Sequence, residues 1–186
     1  GGRRFHGRDQ FHSIHGFGDE IIHARVEASF AVARHGVRGQ RNDRGVNPEL
    51  GLALTDERGV INRAAIARLC DQTAALQAAG HEVLIVTSGA VSSGVAALGL
   101  ASRPTDMPTL QALAAAGQPR LMEVYSAELG RHGLVPGQAL LVPNDFINRR
   151  QYLHARQTLV RLLELGCVPI INENDAIASD EIRFGD

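Results

Sequence analysis

Lysine is missing from this chain: all 19 of its basic residues are arginines. The absence removes the cation of a phosphate-cradling P-loop. Gly89 and Gly94 have the P-loop glycine spacing, but Val95 and Ala96 stand where lysine and a hydroxyl residue belong. Excess charge is missing too. A formal charge of −1 gives no electrostatic grip on nucleic acid or an anionic membrane. No apolar run approaches the roughly 18 residues of a membrane span, and no signal-peptide pattern opens the chain. Tryptophan is absent, and cysteine is confined to Cys70 and Cys167, far apart and each inside an apolar pattern. They read as free thiols in a reducing compartment, so the expected location is cytoplasmic.

What is present centres on one stretch, His81-Glu-Val-Leu-Ile-Val-Thr-Ser-Gly-Ala-Val-Ser-Ser-Gly94. Val83 to Val86 lack the alternation of a half-exposed strand and suit a central parallel strand covered on both faces. Thr87, Ser88 and Gly89 follow at its carboxyl end, and Ala90 to Leu98 reads as a helix. In open α/β sheets the crevice at the strand ends is where ligands sit. A glycine there lets backbone come close, and a helix start attracts an anion. The same three residues also fit a plain tight turn. Ser88 is not a nucleophile elbow, because Val86 replaces the glycine two places before it. No dinucleotide fingerprint is present.

The rest of the chain alternates helices with short apolar strands, which predicts a parallel α/β sandwich. Asn62 is a good N-cap for a helix to about Ala79 that buries Ile66, Leu69, Cys70, Thr73 and Leu76, with Gly80 as its stop. Gly99 to Pro108 reads as a loop. Leu110 to about Leu129 reads as a long helix that Gly117 and Pro119 bend or divide. Ala139–Val142 forms a second strand, followed by Pro143-Asn-Asp145. Arg149 to Leu165 forms a helix burying Tyr152, Leu159, Leu162 and Leu163. Val168–Ile171 forms a third strand, in which Pro169 favours an edge or a strand start. Asn172-Glu-Asn-Asp175 follows at once, to cap a turn or to hold a ligand. Three strands thus end in small polar or acidic residues, which points to a ligand site along one sheet edge.

Residues 1–45 differ from the rest. They hold five of the eight histidines and eight arginines with no sustained helical or strand period, a composition expected of a flexible segment. Ile21 to Arg34 is compatible with a short helix. No histidine pair has the spacing, with a Cys or carboxylate beside it, that a zinc site needs, so no metal site is expected there.

Taken together, Gly80-His-Glu-Val-Leu-Ile-Val-Thr-Ser-Gly-Ala-Val91, Gln111-Ala-Leu-Ala-Ala-Ala-Gly-Gln118, Tyr152-Leu-His-Ala-Arg-Gln-Thr-Leu159, Val168-Pro-Ile-Ile-Asn-Glu-Asn-Asp-Ala-Ile-Ala178 and Glu181-Ile-Arg-Phe-Gly-Asp186 resemble the amino-acid kinase family. Within it the likeness is to the kinases that phosphorylate the side-chain carboxylate of L-glutamate at the start of proline synthesis. The resemblance runs from about Leu54 to Asp186. It implies a three-layer α/β/α sandwich with a mainly parallel sheet, whose N-terminal half binds glutamate and whose C-terminal half binds ATP, with Mg2+ as helper. Residues 46–186 then form a partial kinase domain, the glutamate-binding half, incomplete on its C-terminal side. By resemblance Ser88 contacts the substrate, Gly89 admits backbone to it and Asp175 binds it through the ammonium group, with Asn174 beside it. A homo-oligomer and L-proline as a feedback ligand are implied in the same way.

Two departures bear on activity. The family opens with a strand carrying a lysine that bridges the transferring phosphoryl group. The corresponding Val46-Asn-Pro-Glu-Leu-Gly-Leu-Ala-Leu-Thr55 has none, and Pro48 disturbs a strand. The chain also stops where the nucleotide-binding half would continue. A fragment that binds substrate without catalysing alone is therefore expected, and no catalytic residue is assigned. The alternatives are a kinase for acetylglutamate, aspartate or carbamate, or a non-catalytic amino-acid-binding domain.

Overall fold

In a computed structural model of the chain, the described residues are three short backbone strands at 30–34, 36–37 and 40–41, together with residues 54–56 and 59–177. The expected strand over 46–53 and the segment Glu181–Asp186 lie outside them, as does most of residues 1–45.

A four-stranded sheet organises the fold. Its strands are β1 (Phe30–Arg34), β4 (Glu82–Val86), β6 (Val168–Glu173) and β5 (Pro136–Leu141), side by side in that order. β4, β6 and β5 run parallel, and β1 adds an antiparallel edge from Phe30↔Val86 to Arg34↔Glu82. Two-residue strands β2 (Gly36–Val37) and β3 (Gln40–Arg41) pair separately. The strand at 30–34 corrects the last five residues of the short-helix reading of Ile21 to Arg34, and residues 21–29 lie outside the described residues. An outer strand edge presents unpaired N–H and C=O groups, and an extended segment beside β4 satisfies them where a helix would not.

Strand β6 is central although its second residue is Pro169. Val168 N donates to Val135 O on the β5 side, whereas Ile171 O accepts from Thr87 N on the β4 side. The alternation puts the N–H that Pro169 lacks on the β4 side, where pairing begins only at Ile85↔Ile170. The proline therefore removes no bond from the ladder.

Helices cover both faces. On one, α1 (Arg63–Ala78) and α3 (Met107–Gly130) pack Ile66, Leu69, Cys70, Leu121, Val124, Tyr125 and Leu129 onto Val83, Ile85, Val168 and Ile170. On the other, α5 (Arg149–Glu164) packs Leu159 onto Leu84, Val86 and Ile171. This is the expected three-layer arrangement with a mainly parallel sheet. Asn62 caps α1, its Oδ1 accepting from Ala65 N at 3.0 Å. Leu162 and Leu163, expected in the core, are only half-buried.

Helix α3 departs from expectation at its start and in not being divided at Gly117 and Pro119. It starts earlier, at Met107, because Asp106 Oδ1 accepts from Thr109 N at 3.0 Å and Pro108 fits the first turn, where its missing N–H costs nothing. It also continues unbroken through Gly117 and Pro119. Gly117 serves packing there. A Cβ on it would collide with the backbone of Ala90 and Gly94 in α2 (Ala90–Ala97), and one on Gly94 would collide with that of Leu113. The two glycines let α2 and α3 touch backbone to backbone, and that contact offsets the hydrogen bond lost at Pro119.

Candidate functional site

The ladder fixes where each strand leaves the sheet. Val86 is level with Ile171 and Leu141 with Glu173, so β4, β6 and β5 all end at one edge. Thr87 N still donates to Ile171 O at 2.8 Å. The chain then turns into α2 at Gly89, whose φ of +94° is a left-handed conformation that side chains resist. Ser88 is half-buried on this corner and Gly89 is buried. No side chain caps the start of α2, which leaves its first-turn N–H groups as a locus of positive potential.

At the exit of β6 the strand runs two residues beyond the expected end. Asn172 and Glu173 remain paired with Leu140 and Leu141 of β5, so the turn begins only at Asn174. Asn174 N donates to Leu141 O at 2.8 Å, and its own carbonyl accepts from Ile177 N at 3.1 Å. Asn174 and Asp175 are half-buried. The structure thus brings Ser88, Gly89, Asn174 and Asp175 to the same edge, on the exits of neighbouring parallel strands.

The third exit is closed by local structure. Val142 leads into α4 (Pro143–Ile147), and Asp145 Oδ2 accepts from Val142 N at 2.8 Å. Asn148 Oδ1 then accepts from Arg150 N at 3.0 Å to start α5. Asp145 and Asn148, which follow β5, therefore hold the chain's own backbone, while Asn144 bonds to the Gln151 side chain.

Two buried polar contacts under the edge were not foreseen. Thr87 Oγ1 and Tyr125 OH share a hydrogen bond at 3.0 Å. Asn172 Nδ2 donates to Gln118 Oε1 at 2.7 Å, while Asn172 Oδ1 accepts from Glu173 N at 2.9 Å. The second bond orients the first, since Asn172 must turn its oxygen toward Glu173 and its NH2 toward Gln118. Gln118 then points its oxygen at Asn172 and is left with Nε2, which is buried and without a partner among the described residues. An unpaired buried donor costs about 1–3 kcal/mol. The sequence did carry a signal for this. Leu110, Ala114, Gln118, Leu121 and Tyr125 recur at helical spacing, and all are buried, so Gln118 is a polar residue on the buried stripe.

Chemically, a hydroxyl, a glycine corner and uncapped N–H groups on one exit suit an anionic ligand, and a carboxylate on the next suits a cationic group. Among the described residues no three His, Cys, Asp or Glu side chains stand close enough to hold a metal ion. The described part also contains no lysine. The thiol of Cys70 lies deep under β4. Burial first, then the nearby Glu128 and Asp71 carboxylates, push it up to about 12, so it is an inert packing group. Both cysteines are free, Cys70 buried and Cys167 half-buried. Among the described residues no helix is long and apolar enough to cross a membrane.

Residues 51–186 match the amino acid kinase family. The glutamate 5-kinase of Ralstonia pickettii (strain 12J) is 52% identical over 135 residues, covering 73% of this chain and 36% of that protein. The glutamate 5-kinase of Azoarcus sp. (strain BH72) is 48% identical over 147 residues, covering 78% and 40%. That of Thermus thermophilus is 50% identical over 133 residues, covering 72% and 36%. The chain thus spans 36–40% of the length of these relatives.

Proposed function

The chain belongs to the amino-acid kinase family, and from that membership we propose that it forms the acceptor-binding part of a kinase acting on the side-chain carboxylate of L-glutamate. One observation carries the proposal: Ser88 and Asp175 leave adjacent parallel strands at the same sheet edge. An α-amino acid with an acidic side chain needs just such a pair of surroundings. Asp175 takes the ammonium group, while Ser88, the Gly89 corner and the α2 N-terminus take carboxylate oxygens, and Asn174 supplies a further amide.

The reaction fits these groups. A carboxylate is already a nucleophile at neutral pH, so no general base is required. The task is to orient the acceptor and keep its charge from repelling the phosphoryl donor. The product is γ-glutamyl phosphate, the opening step of proline synthesis. ATP and Mg2+ belong to the family's reaction. The 186 residues contain no lysine to neutralise charge on the transferring group, and losing one such group costs about 3–4 kcal/mol of barrier. Binding of the acceptor without turnover is therefore the expected behaviour of this chain by itself. Self-association, feedback by L-proline and a cytoplasmic location belong to the same proposal and rest on the family resemblance.

Calorimetric titration of the purified chain with L-glutamate, L-aspartate, N-acetyl-L-glutamate and ATP tests it. L-glutamate is expected to bind most tightly, and Asp175→Asn to weaken it at least tenfold. Preference for N-acetyl-L-glutamate, whose amine is blocked, would reject the ammonium role of Asp175 and favour a different acceptor within the family.

A further inference from the structure

The proposal that the chain binds L-glutamate leaves one buried feature without a purpose. Gln118 lies on the sheet-facing stripe of α3 and is about as buried as the leucines around it, yet among the described residues its carboxamide bonds only to Asn172. Its Nε2 has no partner among the described residues. A leucine would satisfy the packing at that place without an orphaned donor, so packing does not explain the glutamine.

Its position suggests a purpose. Gln118 precedes Tyr125 by seven residues, two helical turns along the same face, and each holds the exit of a different strand. Tyr125 holds Thr87, next to Ser88. Gln118 holds Asn172, whose other end grips the N–H of Glu173, two residues before Asp175. Gly117, beside Gln118, is set against Ala90 at the start of α2, which fixes the helix relative to the Ser88–Gly89 corner. One rigid helix thus touches both exits between which the ligand would lie.

We propose that Gln118 is a positioning residue for the acceptor site: through Asn172 it fixes the backbone that carries Asn174 and Asp175 relative to the Ser88–Gly89 corner. It acts through that backbone and need not touch the ligand. This rests on the L-glutamate reading above and adds a residue to it that lies beneath the site.

The test separates stability from affinity. Gln118→Leu removes the orphaned donor but strands Asn172 Nδ2, whereas Gln118→Leu combined with Asn172→Leu replaces both halves of the pair by apolar side chains, with the Cγ branching of Asn172 kept. Each variant and the unsubstituted 186-residue chain are titrated with L-glutamate by calorimetry, and their thermal midpoints are measured. The double variant is expected to keep its midpoint within a few degrees while losing at least tenfold in affinity. Gln118→Leu alone should lose as much affinity as the double variant, because either change breaks the same link. Unchanged affinity in a folded double variant overturns the proposal, as does a loss of affinity that only follows the midpoint downward. Failure of the unsubstituted chain to bind L-glutamate overturns the acceptor reading itself, and this inference with it. The two failures are therefore distinguishable.

Discussion

The two faces of the sheet are built differently. Toward α1 and α3, β4 and β6 contribute Val83, Ile85, Val168 and Ile170 to a cluster of twelve buried residues. Toward α5 the buried cluster among the described residues is only Leu84, Val86, Leu159 and Ile171. Polar chemistry follows the same division. Thr87 and Asn172 continue the rows that face α3, and there they meet Tyr125 and Gln118. On the α5 side the exit of β5 is held by local caps instead. The thick face therefore fixes the strand ends in space, and the thin face mainly shields the sheet from water.

The largest difference expected from this contrast is in core deletions. Leu121→Ala, in the closed α3 face, should cost about 3–5 kcal/mol, and Leu159→Ala about 2 kcal/mol, because half-buried Ala139 and Leu141 beside it can relax into the space. Urea denaturation of both variants measures this, and equal or reversed costs would break the contrast. Gly117→Ala should follow at about 2–3 kcal/mol, since the added methyl meets the backbone of Ala90 and Gly94. A neutral result in the same assay would mean that the seam between α2 and α3 is loose.

Cys70 sharpens the comparison through pH. Its thiol titrates near 12 in the fold against an ordinary 9.0, chiefly because of burial. Below pH 9 both states keep the proton and the full contribution is present. Between 9 and 12 the unfolded chain loses a proton that the folded chain retains, so stability falls as pH rises, by about 1.4 kcal/mol per unit inside that window. Cys70→Ala should flatten the fall in urea midpoints between pH 9 and 11. A slope identical to that of the unsubstituted chain would show that the α3 face does not exclude water. The smallest effect should come from Tyr125→Phe, which removes one hydroxyl partner of Thr87 at about 1 kcal/mol. Its interest lies in the accompanying loss of L-glutamate affinity. Leu159→Ala, on the other face, is expected to leave the affinity of the folded protein unchanged.

Legibility in the sequence followed the same physical line. Unbroken apolar runs gave β4, the start of β6 and the second half of β5, which begins at Pro136 ahead of the expected Ala139 and ends at Leu141 instead of Val142. The i, i+3, i+4 pattern with Asn62 and Gly80 at its ends gave α1. Ser88, Gly89, Asn174 and Asp175 were found because they follow those runs. Features set by tertiary pairing were not legible. Asn172 and Glu173 look like loop residues, yet the β5 ladder holds them in the strand. Strand β1 formed in a tract with no regular period, since what it answers is the open edge of β4. Gly117 and Pro119 look like breakers until the contact with α2 is known. Gln118 was visible only as a polar residue on an apolar stripe, and nothing in the sequence said that Asn172 was its partner.

The central claim is that an acidic amino acid binds between the exits of β4 and β6. It is tested most directly by titrating the isotopically labelled chain with L-glutamate and following its amide resonances by NMR. Saturable shifts are expected at Ser88, Gly89, Asn174 and Asp175 and at the side-chain NH2 of Gln118, with Leu153 and Arg161 on α5 unmoved. Shifts confined to α5, or none at the two strand exits at saturating L-glutamate, would contradict it.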